Sequence, residues 1–78
     1  MDTVQTTRDA MAPFAMAPVP DDESASLFEL GVIDSFGLMD LISELEKRFS
    51  VKVPDADLVP RKFETITKIA AYFDARVK

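Results

Sequence analysis

Asp34 and Ser35 are the residues of this sequence best suited to chemistry, because they stand where an irregular stretch gives way to its most regular helical pattern. A serine at a helix start holds its hydroxyl near backbone N–H groups that lack an intrahelical acceptor, and near the positive end of the helix dipole. Such a position suits an anion, and a phosphate in particular. Aspartate and serine are also good helix caps, so capping alone would account for both residue types.

The remaining chemistry is limited by what is missing. The 78 residues include neither cysteine nor histidine. No Ser-His or Cys-His nucleophile pair can therefore be assembled, and a zinc or non-haem iron site would need carboxylates alone. These absences point away from an enzyme. The formal charge is −5, from nine basic and fourteen acidic residues. It is unevenly spread: residues 1–46 hold one base, Arg8, against ten acids, while residues 47–78 hold eight bases against four acids. The acidic half repels nucleic acid and anionic membranes and attracts a basic protein surface, although each charge can equally be read as part of a solvated face. The length suits a single domain, 1–78, with a modest core. No signal-peptide pattern or membrane span is recognisable, so the expected compartment is the cytoplasm.

Several elements must position Ser35. Residues 2–15 carry a weak helical pattern, with Val4, Met11, Phe14 and Ala15 near one face and Asp2 as a cap; Pro13 makes this helix start late, kink, or end by Ala12. Pro18 and Pro20 impose irregular chain from Met16 to Ser24, with Asp21 to Ser24 as an exposed turn. Leu27, Phe28 and Leu30 form an apolar anchor, and Gly31 supplies a turn. From Ser35 onward, about 100° per residue places Leu38, Leu41, Ile42, Leu45 and Phe49 on one stripe. Phe36, Met39 and Ser43 fall on a neighbouring strip flanked by Asp40 and Lys47, while Gly37, Glu44 and Arg48 point the opposite way. That strip reads as an apolar docking patch with a charged rim; the alternative is that Phe36 and Met39 tuck under the preceding loop.

Beyond Phe49, Val51 and Val53 belong to an extended connector that ends at Pro54. Asp55 to Val59 forms one helical turn with Leu58 inward, stopped by Pro60, and Phe63 is a further anchor. Thr65 caps a last helix with Ile66, Ile69, Ala70, Phe73 and Val77 on its stripe and Tyr72 beside it; Arg76 and Lys78 sit at its negative end. The expected architecture is all-α: three longer helices and one short one, with a long loop between the first two. The expected core is Phe14, Leu30, Leu38, Leu41, Ile42, Leu45, Phe49, Phe63, Ile69 and Phe73.

The segment Gly31 to Phe49, GVIDSFGLMDLISELEKRF, resembles the phosphopantetheine attachment segment of the acyl carrier protein superfamily, and VKVP and the terminal helix match in order. The stretches IDSFG, ELEKRF and RKFETITKI are most similar to stand-alone aminoacyl carriers, the D-alanyl carriers among them. The resemblance implies a small acyl-carrier-like bundle with no catalysis of its own. Ser35 would receive 4′-phosphopantetheine from CoA through a phosphopantetheinyl transferase, and Asp34 would cap and position it. A separate adenylating ligase would load an amino acid or acyl group as a thioester, for delivery to a downstream acceptor enzyme. Phe36, Met39, Asp40, Ser43 and Lys47 would form the docking face of a monomer. Fatty-acyl, polyketide and peptidyl carriers share the motif, and a helical interaction module without a prosthetic group is the more distant alternative.

Overall fold

A computed structural model describes residues 2–77. It contains three α-helices: α1 (Thr3–Met11), α2 (Ser35–Phe49) and α3 (Ile66–Asp74). Short 3-10 turns occupy Ala12–Phe14, Asp55–Asp57 and Pro60–Lys62, so the short helix expected over Asp55 to Val59 ends at Asp57, and Pro60, expected only to stop it, begins a further turn. Lys78 lies outside the described residues.

Each helix starts on a side chain that satisfies otherwise orphaned N–H groups. Asp2 accepts from the Val4 and Gln5 N–H groups, Asp34 from Gly37 and Thr65 from Lys68. α1 ends at Met11, just before Pro13, and the chain tightens into the 3-10 turn that holds the proline at its second position. Its weak apolar pattern has a simple origin: the buried face consists of Thr3, Thr7, Ala10 and Met11, at regular helical spacing, rather than Val4, Phe14 and Ala15. The Thr7 hydroxyl donates to Thr3 O at 2.7 Å and that of Thr3 to Asp74, which makes burial of both threonines affordable.

α1 packs against α2 and α3. The α2 stripe Leu38, Leu41, Ile42, Leu45 and Phe49 is buried, and Phe49 stacks on Phe73 with centroids 5.3 Å apart. Phe63 is fully buried and meets Tyr72 edge-on at 5.0 Å. Each such side chain contributes about 1.5–3 kcal/mol through removal from water. Phe14 is only half-buried, packed on the edge of the core.

Leu30, expected in the core, and Val77, expected on the stripe of the last helix, are corrected. Leu30 is 51% exposed; the backbone turns through Gly31 at φ 69°, and Leu27, Val32 and Ile33 take the interior places instead. Val77 lies beyond the end of α3 and is 41% exposed, because the helix stops at Asp74 and the chain leaves the bundle.

The long connection between α1 and α2 is tied down along its length. Met16 N–H donates to Val32 O at 2.8 Å, which closes the loop on itself. Leu27 N–H donates to Glu64 O at 2.8 Å and Thr67 N–H to Glu23 O at 3.1 Å, which fasten it to the head of α3. Arg8, the lone base of the acidic half, donates to Pro20 O at 2.7 Å and Asp21 O at 2.9 Å. Its guanidinium fork thus clamps the loop to α1.

Candidate functional site

Ser35 is the first residue of α2 and is exposed. The loop is held at this point by buried Val32 and Ile33, whose chain is anchored through Val32 N–H to Leu27 O at 2.9 Å. Asp34 is extended at the N-cap and its Oδ1 accepts from Gly37 N–H at 2.7 Å, while its carbonyl takes Leu38 N–H at 2.9 Å. Among the described residues, neither the Ser35 hydroxyl nor the Ser35 and Phe36 N–H groups bond to another protein group. Three donors therefore remain at the positive end of a fifteen-residue helix, open to solvent.

Gly37 is the residue that the sequence placed wrongly. It is half-buried, and a Cβ built there would stand 2.9 Å from Ile33 Cγ1 and 3.3 Å from Asp34 Oδ1. The absence of a side chain lets the loop close over the first turn and lets Asp34 reach its N–H. Only three-dimensional proximity reveals this requirement, since the helical wheel puts Gly37 on the outer side.

Asp34, Phe36, Met39, Asp40, Ser43 and Lys47 are all exposed, with Phe36 at 83% and Met39 at 45%. The two apolar side chains do not tuck under the loop. Met16 and Leu30 are also exposed apolar residues of the preceding connection, and periodicity gave no reason to single them out. Glu44 and Arg48 form a helical ion pair at 2.9 Å away from this strip.

The residues at Ser35 fit a covalently attached phosphodiester. An accessible hydroxyl stands beside two unpartnered N–H groups, and the Asp34 charge is directed into the helix start, which offsets its repulsion of a phosphate one residue away. Two clefts lie elsewhere. One, of about 490 Å³, runs along the outer side of α3, and one of about 300 Å³ lies over Phe49 between Thr3 and Asp74. Neither is lined by any residue from Asp34 to Met39.

The profile described as a phosphopantetheine attachment site matches residues 5–73 of this chain. The D-alanyl carrier protein of Streptococcus uberis is 39% identical over 61 residues, covering 78% of this chain and 77% of that protein. Its counterpart in Streptococcus equi subsp. zooepidemicus is 36% identical over 69 residues, covering 88% and 87%. That of Streptococcus pyogenes serotype M1 is 41% identical over 54 residues, covering 69% and 68%. No solved structure gives a significant match.

Proposed function

The chain belongs to the phosphopantetheine attachment family, and from that premise we propose that Ser35 is its attachment residue and that the cargo is an activated amino acid. The protein is a phosphopantetheine-dependent carrier. The observation that supports Ser35 is its exposed, unpartnered hydroxyl at the capped start of α2. When attached, the group supplies a thiol for thioester formation, a function that this cysteine-free chain cannot provide itself.

Ser35 presents its hydroxyl to the transferase, and the first-turn N–H groups favour the phosphate once it is joined. Asp34 holds the turn through Gly37 N–H. Exposed Phe36 and Met39 offer apolar contact immediately beyond the attachment point, with Asp40, Ser43 and Lys47 as a polar rim for recognition by a transferase, a ligase and an acceptor. The amino-acid cargo is supported by the D-alanyl carrier relatives. On this reading residues 1–78 act as one monomeric domain without catalysis of their own, in the CoA-containing cytoplasm. No helix among the described residues is long and apolar enough to cross a membrane.

Incubation with CoA and a phosphopantetheinyl transferase tests the assignment by intact mass. One phosphopantetheine is expected on the native chain and none on Ser35→Ala, whose thermal unfolding should stay within about 1 kcal/mol of the parent. Addition that persists in Ser35→Ala overturns the assignment. Loading of the holo protein by a D-alanine-activating ligase, read again as a mass increment, tests the cargo.

A further inference from the structure

The half of the chain that carries the positive charge builds a surface that attachment at Ser35 does not use. The cleft along the outer side of α3 has Ala71 and Tyr72 as its floor and Arg61, Lys62, Lys68 and Arg76 as its rim. Its lining comes from the 3-10 turn Pro60–Lys62 and from α3 and the residues just after it, with no contribution from α2 or from the loop that ends at Ser35. The nearby acids answer only part of this charge. Asp57 pairs with Lys62 at 2.7 Å and lies 3.7 Å from Arg76, and Glu64 pairs with Lys68 at 2.5 Å. Arg61 has no ion pair among the described residues.

Three of the four cations, Lys62, Lys68 and Arg76, are held by partners. Arg76 lies over the Tyr72 ring at 3.6 Å and donates to Tyr72 O at 3.1 Å. Lys68 Nζ also donates to Arg61 O at 3.2 Å, which fixes the turn against the helix. A rim already ordered in this way loses less side-chain freedom when it meets a ligand. The surface already accommodates a carboxylate: Asp57 bridges Lys62, the Tyr72 hydroxyl at 2.7 Å and the approach to Arg76.

We propose that this groove is a second docking site, separate from the Ser35 face, for an acidic polypeptide segment that carries an apolar side chain between its carboxylates. The occupant follows from charge and shape together. Four cations against two acids select an anion, and the apolar surface of Ala71 and Tyr72 between them selects a partner that also brings an apolar side chain. An anionic membrane faces the repulsion of ten acids in residues 1–46. The rim cations lie on both sides of that floor, from the turn Pro60–Lys62 to Arg76 just past the end of α3, so a short extended segment can meet several of them at once. Docking here leaves Ser35 and Phe36 free, so the carrier can be held by one protein while its attachment end is presented to another.

Tyr72 is the single tyrosine of a tryptophan-free chain, so its emission reports on the groove directly. The probe is a hexapeptide with two glutamates on each side of a Leu-Phe pair, replaced by Leu-Leu for emission measurements, and a lysine-for-glutamate version is the control. The full chain should show a saturable change with the acidic peptide alone, weakened at least about fivefold between roughly 0.05 M and 0.3 M salt. Arg61→Gln and Lys68→Gln together should weaken binding by about tenfold with helical circular dichroism unchanged, whereas Ser35→Ala should bind as the parent does. Failure of attachment at Ser35 would leave this result untouched, so the two readings fall separately. An equal response to the lysine peptide, no loss in the Arg61/Lys68 variant, or no saturable response overturns the proposal. It is likewise overturned if binding occurs only to phosphatidylglycerol vesicles, or if the emission change tracks self-association of the protein without peptide.

Discussion

At Gly37 a methyl group would stand 2.9 Å from Ile33 Cγ1, and Ile33 is 1% exposed, so the side chain that must yield is locked in the core. Gly31 presents the opposite situation: nothing lies within 4 Å of an added Cβ, but its φ of 69° disfavours any residue that has one. Alanine at either position should cost about 1–2 kcal/mol in urea unfolding, by overpacking at Gly37 and by backbone strain at Gly31. The two variants should separate in a second measurement. Gly37→Ala displaces Ile33 and the Asp34 carboxylate next to Ser35 and should slow phosphopantetheine attachment severalfold by intact mass. Gly31→Ala strains a turn farther back and should retain the parental rate; equal slowing in both would show that Gly37 has no special part in shaping the turn at Ser35.

At the scale of elements, helix ends carry readable chemistry. Asp34 and Thr65 cap α2 and α3 as their residue types predict, and the α2 stripe is buried from Leu38 to Phe49 because a regular period fixes which side faces inward. The loop before α2 has no such period, and Leu27 and Leu30 look alike in sequence while only hydrogen bonding to Glu64 O and the turn at Gly31 decide that Leu27 goes in. α1 is faint in the sequence because threonines occupy its inner face, and the groove on α3 is not legible there because its cations come from two elements joined only by folding. α2 ends at Ser50 in the left-handed region, φ 56°, a conformation that glycine adopts without strain. Ser50→Gly should therefore stabilise the protein by about 0.5–1 kcal/mol in thermal or urea unfolding. The Asp57 turn is joined to α3 through charge. Hydrogen bonds from Lys62 and then from Tyr72 hold its carboxyl below the ordinary 3.8, whereas burial, followed by the bond to Asp57, pushes the Tyr72 hydroxyl above 10.0. The unfolded chain binds the Asp57 proton more readily, so the contribution of this carboxylate is present above pH 3.8 and fades as the pH falls through its lower folded value. Asp57→Asn should lower stability at pH 7 and flatten the decline below pH 3.8, measured by urea unfolding across that range.

The whole molecule is small enough for one interior contact in the loop before Ser35 to decide its stability. For 78 residues the expected total is about 4–12 kcal/mol. Leu27 is fully buried, its N–H reaches Glu64 O at 2.8 Å, and its carbonyl receives Val32 N–H at 2.9 Å, so it joins the loop, the head of α3 and the residues just before Ser35. Leu27→Ala leaves a cavity at that junction and should cost about 2–5 kcal/mol, a large part of the total. Leu30 is half exposed and makes no comparable junction, so Leu30→Ala should stay within about 0.5 kcal/mol. Urea midpoints give the global comparison, and amide exchange at Val32 and Ile33 gives the local one. Protection there should fall sharply in the Leu27 variant and remain near parental in the Leu30 variant, because the approach to Ser35 is held from the far side of the core. Equal losses at the two leucines would mean that the loop is not fastened through Leu27, and that the turn at Ser35 depends on α2 alone.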